Sequence, residues 1–193
     1  MIYIHPNTQA LIFDCDGTIA DSMSIHNKAW QIIASRYQIN LSSEKLAHFN
    51  GIPTAKILAM LTEGTDFKFD IPRIVNEKEM LAAENITEVL PIQPIIEVIK
   101  NHHGKIPMVV FSGGTRHNVI QTLKTLSLIP FFEFILTGDD DHPTKDNPDS
   151  FRLIANRLGV NCNRCHVFED GKPGLINAVK ANMHVTDVRT FYP

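Results

Sequence analysis

Ala10-Leu11-Ile12-Phe13 is an uninterrupted apolar run of strand length that stops at Asp14-Cys15-Asp16-Gly17-Thr18. This pattern predicts a buried strand entering a glycine turn. From Asp21 to about Glu88 the apolar period changes. Ile25, Ala29, Trp30, Ile32, Ile33 and Tyr37 recur at helical spacing, Leu46 and Phe49 follow, and Pro53 opens a stretch carrying Ile57, Leu58, Met60 and Leu61. Residues 71–90 continue as one more amphipathic segment, so this block is expected to hold about four helices.

Beyond Leu90-Pro91 strands and helices alternate. Residues 95–100 are predicted helical and 106–111 form an apolar, β-branched strand. Ser112-Gly113-Gly114-Thr115 closes that strand and opens a helix through Leu126. A strand at 134–136, a helix at 148–158, a strand at 166–168, a helix at 172–181 and a strand at 184–188 follow. Such alternation predicts an α/β fold, a doubly wound parallel sheet with helices on both faces. The expected division is a core of residues 1–20 and 90–193, with residues 21–89 as an all-helical insert after the first strand.

Composition narrows the partners. The 193 residues are 44% hydrophobic and 20% charged, an ordinary globular balance. Eighteen Lys and Arg against 21 Asp and Glu leave a net charge of −3, so no basic excess is available for nucleic acid. No apolar run approaches the roughly 18–20 residues that span a bilayer, and MIYIHPNTQA lacks the basic and apolar regions of a signal peptide. A soluble, cytoplasmic protein without a membrane partner is expected. Of three cysteines, Cys162 and Cys165 form a single C-x-x-C, which lacks the four ligands of a structural zinc and reads as two thiols in a turn. The oligomeric state is not legible.

In open parallel sheets ligands bind outside the carboxyl ends of the strands. Here those ends carry Asp14 and Asp16, Ser112 with two glycines, Gly138-Asp139-Asp140-Asp141, and Glu169-Asp170. Extended residues at i and i+2 point to one side, so Asp14 and Asp16 can face one pocket. Carboxylates sharing a small site repel by about 4 kcal/mol per pair at 4 Å, which demands a cation, and oxygen-only ligands suit Mg²⁺. Gly113 and Gly114 let backbone N–H groups approach an anion at the start of a helix. Lys145 supplies a second positive charge.

Phe13-Asp14-Cys15-Asp16-Gly17-Thr18, Ser112, Lys145 with Pro148-Asp149, and Val167-Phe168-Glu169-Asp170-Gly171-x-x-Gly174 resemble the four ordered motifs of the haloacid dehalogenase-like hydrolases. The resemblance covers nearly the whole chain and implies a Rossmann-like core. The insert resembles the small helical cap of the subgroup containing β-phosphoglucomutase and sugar-phosphate phosphatases. Asp21-Ser22, His26, Trp30, Asn50-Gly51-Ile52-Pro53-Thr54 and the tail Val185-Thr186-Asp187-Val188-Arg189 look closest to its bacterial fructose-1-phosphate phosphatase-like branch.

By that resemblance Asp14 is the nucleophile and Asp16 the general acid and base. Asp14, Asp16 and Asp170, with Glu169 beside them, hold Mg²⁺, and Ser112, Gly113, Gly114 and Lys145 bind the transferring oxygens. Ser22, His26, Asn50, Thr54 and Lys78 are the cap residues expected at the sugar. Two positions depart from the motifs: Gly171 replaces a frequent serine or alanine, and Asp146 follows Lys145 where proline is common. The implied activity is Mg²⁺-dependent hydrolysis of small phosphorylated sugars, with fructose 1-phosphate the single best substrate. A β-phosphoglucomutase is the alternative, but Asn50 and Thr54 stand where such mutases carry basic residues. A non-catalytic phosphate-binding module is the third reading, and it would be expected to have lost Asp14, Asp16 or Asp170.

Overall fold

The computed structural model describes residues 2–63 and 70–191. Residues 64–69 of the expected insert lie outside the described residues.

Five parallel strands form the sheet: β1 (Ala10–Phe13), β4 (Met108–Phe111), β5 (Phe134–Leu136), β6 (Cys165–Glu169) and β7 (His184–Asp187). Their order is β5-β4-β1-β6-β7. The chain therefore builds outward from β1 through β4 to β5, then crosses back to β6 and β7. β1 lies at this change of direction, where its carboxyl end opens a crevice. Register brings the strand ends level, with Phe13 opposite both Val110 and Phe168.

Alternation along β1 sends Leu11 and Phe13 to one face and Ala10 and Ile12 to the other. The first pair packs with Ile95 and Ile99 of α5 (Gln93–His102) and Val119 and Leu123 of α6 (Arg116–Thr125). The second packs with Phe151 and Ile154 of α7 (Pro148–Leu158) and Ala178 of α8 (Lys172–Lys180). The sheet is thus buried on both sides, as its continuous apolar strands require. Helix ends follow local chemistry. In α7 the Asn147 side chain accepts from the Asp149 N–H, Pro148 opens the first turn, and Gly159 closes the helix at φ 69°.

Between β1 and α5 lies a helical block: α1 (Met23–Tyr37), α2 (Ser43–Ala47), α3 (Thr54–Thr62) and α4 (Ile71–Ala83). It has its own core of Trp30, Ile33, Leu46, Ile57, Leu58 and Ile74. Entry to and exit from the block are joined by a ribbon absent from the sequence reading. β2 (Ala20–Asp21) pairs antiparallel with β3 (Leu90–Pro91). Two-residue strands carry no periodicity, so only the tertiary path reveals them. Smaller departures are that the strand expected from 106 begins at Met108 and that Cys165 is a buried core residue of β6 rather than a turn thiol. Burial pushes the Cys165 thiol up to about 12, with the nearby Cys162 adding to it.

His166 on β6 is 3% exposed, lies against Phe168 and shares a hydrogen bond between Nε2 and Thr186 Oγ1 of 2.8 Å. Burial, then the neighbouring His184 and His5, push its pKa down to about 4. The unfolded chain, with an ordinary value of about 6.5, takes up the extra proton between those limits. This contribution to stability is complete above roughly pH 6.5 and is lost as pH falls towards 4. His166→Phe is expected to shrink the stability difference between about pH 7.5 and pH 5 by on the order of 2 kcal/mol, read by urea denaturation at both values.

Candidate active site

The turn after β1 is closed by Gly17 N–H donating to the Ala20 carbonyl at 2.8 Å. Gly17 has φ 81°, and a Cβ there would stand 2.6 Å from the Asp170 carboxylate, so glycine is required for both reasons. Asp14 and Asp16 both line one cavity, as their spacing predicts, but different partners hold their carboxylates.

Asp14, Glu169 and Asp170 each offer a carboxylate oxygen within 4.8 Å of the others, and all three are buried. Lys145, 1% exposed, reaches them from the loop before α7 and forms ion pairs with Asp14 and with Glu169 Oε2, the latter at 2.7 Å. Glu169 Oε1 accepts the N–H groups of Asp170 at 3.1 Å and Gly171 at 2.7 Å. With both oxygens engaged, Glu169 braces the loop and the ammonium. Thr18 Oγ1 donates to Asp170 Oδ1 at 3.3 Å, and Asn50 Nδ2 lies 3.5 Å from Oδ2.

One ammonium does not balance three carboxylates. Burial and the charge of Glu169 push Asp14 well above the carboxylate range despite Lys145, and burial and Glu169 push Asp170 up to about 7. Burial opposes the charge on Lys145, yet Asp14 and Glu169 outweigh it and hold the ammonium protonated. The excess negative charge and the all-oxygen donor set fit a hard divalent cation.

Asp16 is set apart from this cluster. Its Oδ1 accepts from Ser22 Oγ at 2.6 Å and meets His26 Nε2 at 3.1 Å, while His26 Nδ1 lies 3.1 Å from Lys78 Nζ. Burial would raise the Asp16 carboxyl, but His26, Ser22 and Lys78 hold it far below the usual range. Ser22 is fully buried, so its hydroxyl serves Asp16 instead of reaching a ligand.

Ser112 follows β4, and its Oγ accepts the Gly114 N–H at 3.0 Å. A Cβ on Gly113 would fall on the Gly51 carbonyl oxygen, so the loop of the helical block presses directly on the glycine loop of the core. Between them lies a cavity of about 70 Å³ lined by Asp14, Asp16, Ser112, Gly113 and Gly114 from the core. The block contributes His26, Asn50, Thr54, Lys78 and Glu79 to the same lining. The acidic run after β5 is elsewhere. Asp139 accepts the Arg116 N–H at the start of α6, and Asp140 binds the Arg116 guanidinium and Thr137, so neither joins the carboxylate cluster.

Sequence reasoning missed three residues. Glu79 accepts from Thr54 Oγ1 at 2.6 Å and from Asn118 Nδ2 at 2.7 Å, joining two helices of the block to α6. Thr18 steadies Asp170. Neither Glu79 nor Asn118 belongs to a motif, and only packing brings them together.

Residues 11–188 match the family model described as haloacid dehalogenase-like hydrolase. The chain belongs to the haloacid dehalogenase-like hydrolases. Among them it is 32% identical to the fructose-1-phosphate phosphatase YqaB of Escherichia coli over 179 residues, covering 93% of this chain and 95% of that one. It is 25% identical to a phosphorylated carbohydrates phosphatase of Thermotoga maritima, covering 91% and 82%. The crystal structure of β-phosphoglucomutase from Clostridium difficile superposes with a TM-score of 0.78 at 26% identity, covering 92% of this chain and 83% of that one. The haloacid dehalogenase-like architecture therefore includes the Rossmann-like sheet and the helical block alike. Among the described residues no helix is long and apolar enough to cross a membrane.

Proposed function

We propose that this chain is a Mg²⁺-dependent phosphatase of small phosphorylated sugars, with fructose 1-phosphate the best single substrate. The observation that carries the reading is the meeting of Asp14, Lys145, Glu169 and Asp170, drawn from three separate strand ends, with Asp14 also lining the cavity beside Ser112, Gly113 and Gly114. The names of the relatives, phosphatases of fructose 1-phosphate and of phosphorylated carbohydrates, support it. Residues 21–89 would serve as a cap over a core of residues 1–20 and 90–193.

Asp14 attacks phosphorus and forms an aspartyl-phosphate, dividing one displacement into two. Lys145 holds the Asp14 carboxylate in place and neutralises the phosphoryl oxygens, together with the Ser112 hydroxyl and the Gly113 and Gly114 N–H groups. Asp16 is ionised in the free protein. A phosphate dianion arriving beside it raises its pKa, so it takes up the proton that it then delivers to the departing sugar oxygen. Ionised again, it removes a proton from the water that attacks the phosphorus, which breaks the bond to Asp14, releases inorganic phosphate and restores the carboxylate. Asp14, Asp170 and the Asp16 backbone carbonyl would hold Mg²⁺, with Glu169 in support. When bound, the ion adds positive charge at the transferring group and relieves the repulsion among the carboxylates.

The test is phosphate release from a panel of phosphorylated sugars, sugar acids and nucleotides, with Mg²⁺ and with EDTA. Release from hexose monophosphates that falls at least about a hundredfold with EDTA and returns on adding Mg²⁺ is expected. Faster isomerisation of β-glucose 1-phosphate than release of phosphate from any sugar would replace this reading with the mutase.

A further inference from the structure

We infer that Glu79 restricts this site to phosphate esters whose non-reacting end is an uncharged polyol. The inference rests on the sugar-phosphatase reading and names its substrate class more closely. At the block end of the cavity the only ammonium among the described lining residues is Lys78, and no arginine lines it. Lys78 Nζ sits 2.9 Å from Glu79 Oε1 and 3.1 Å from His26 Nδ1, so its charge is already balanced within the wall.

Glu79 is held on two sides. Thr54 and Lys78 donate to Oε1 and Asn118 donates to Oε2, and the side chain is 11% exposed. A carboxylate so fixed can only accept hydrogen bonds, and the hydroxyls of a sugar are the matching donors. A second phosphate or a carboxylate at the same place would meet the Lys78–Glu79 pair, which offers it no net positive charge, and among the described lining residues there is no other lysine or arginine to receive it. Like charge at such short range is costly once water is excluded. Thr54 lines the same cavity and donates to Glu79, so it orients the carboxylate.

The test compares kcat/KM for fructose 1-phosphate, fructose 1,6-bisphosphate and 6-phosphogluconate in the wild type, Glu79→Gln and Glu79→Asp. The wild type is expected to prefer the neutral-ended ester by more than about tenfold, Glu79→Gln to narrow that preference about tenfold, and Glu79→Asp to retain it. Asn118→Ala, which breaks the contact to α6 but leaves the charge, is expected to lower both rates in parallel and keep their ratio. Equal use of the bisphosphate by the wild type, or a Glu79→Gln ratio within about twofold of the wild type, overturns the inference alone. No phosphate release from any neutral sugar phosphate overturns the phosphatase reading and this inference with it.

Discussion

Asp14→Asn is expected to lower phosphate release by at least about a thousandfold at saturating substrate while the protein stays folded. The two effects separate for a physical reason. Burial, and after it the charge of Glu169, pushes the Asp14 carboxyl well above the usual range, so the fold gains nothing from its ionisation. Asparagine fills the same volume and removes that repulsion, while Lys145 keeps its ion pair with Glu169. The melting temperature should stay level or rise. Phosphate assay and thermal denaturation on one preparation decide the matter, and a variant with an unchanged rate would remove Asp14 as the nucleophile.

Lys145→Met should be costly to both activity and stability. The ammonium is the only cation paired with Asp14 and Glu169 among the described residues, and all three groups are 4% exposed or less. Removing one member of a buried ionic cluster costs about 3–5 kcal/mol because the rest stay buried without a partner. The variant's carboxylates then have folded pKa values above their unfolded ones. Such groups leave stability intact at low pH and erode it as pH rises through the folded values. The loss is therefore expected to be larger near pH 7.5 than near pH 5, and Mg²⁺ should restore part of it. Urea denaturation at both values, with and without the ion, measures this. A loss independent of pH and Mg²⁺ would mean that Lys145 only fills space.

The pattern of apolar positions was sufficient for the sheet. β1, β5 and α7 begin and end where periodicity and capping place them, because their apolar residues and Asn147, Pro148 and Gly159 act through local rules. The β2–β3 ribbon was illegible because two residues carry no period. The acidic run 139–141 shows a related limit. A carboxylate's sequence position at a strand end does not say whether it faces the crevice or, as Asp139 and Asp140 do, turns back to Arg116.

The sequence by itself determined the doubly wound class, the helical block after the first strand and the acidic and basic groups that close the strands, since short-range spacing specifies each. Only the tertiary structure decided which charges oppose one another. Lys145 meets Asp14 across 131 positions, and Asn118 meets Glu79 across 39. Electrostatic balance depends on distance and burial, which are properties of the folded packing and not of order along the chain.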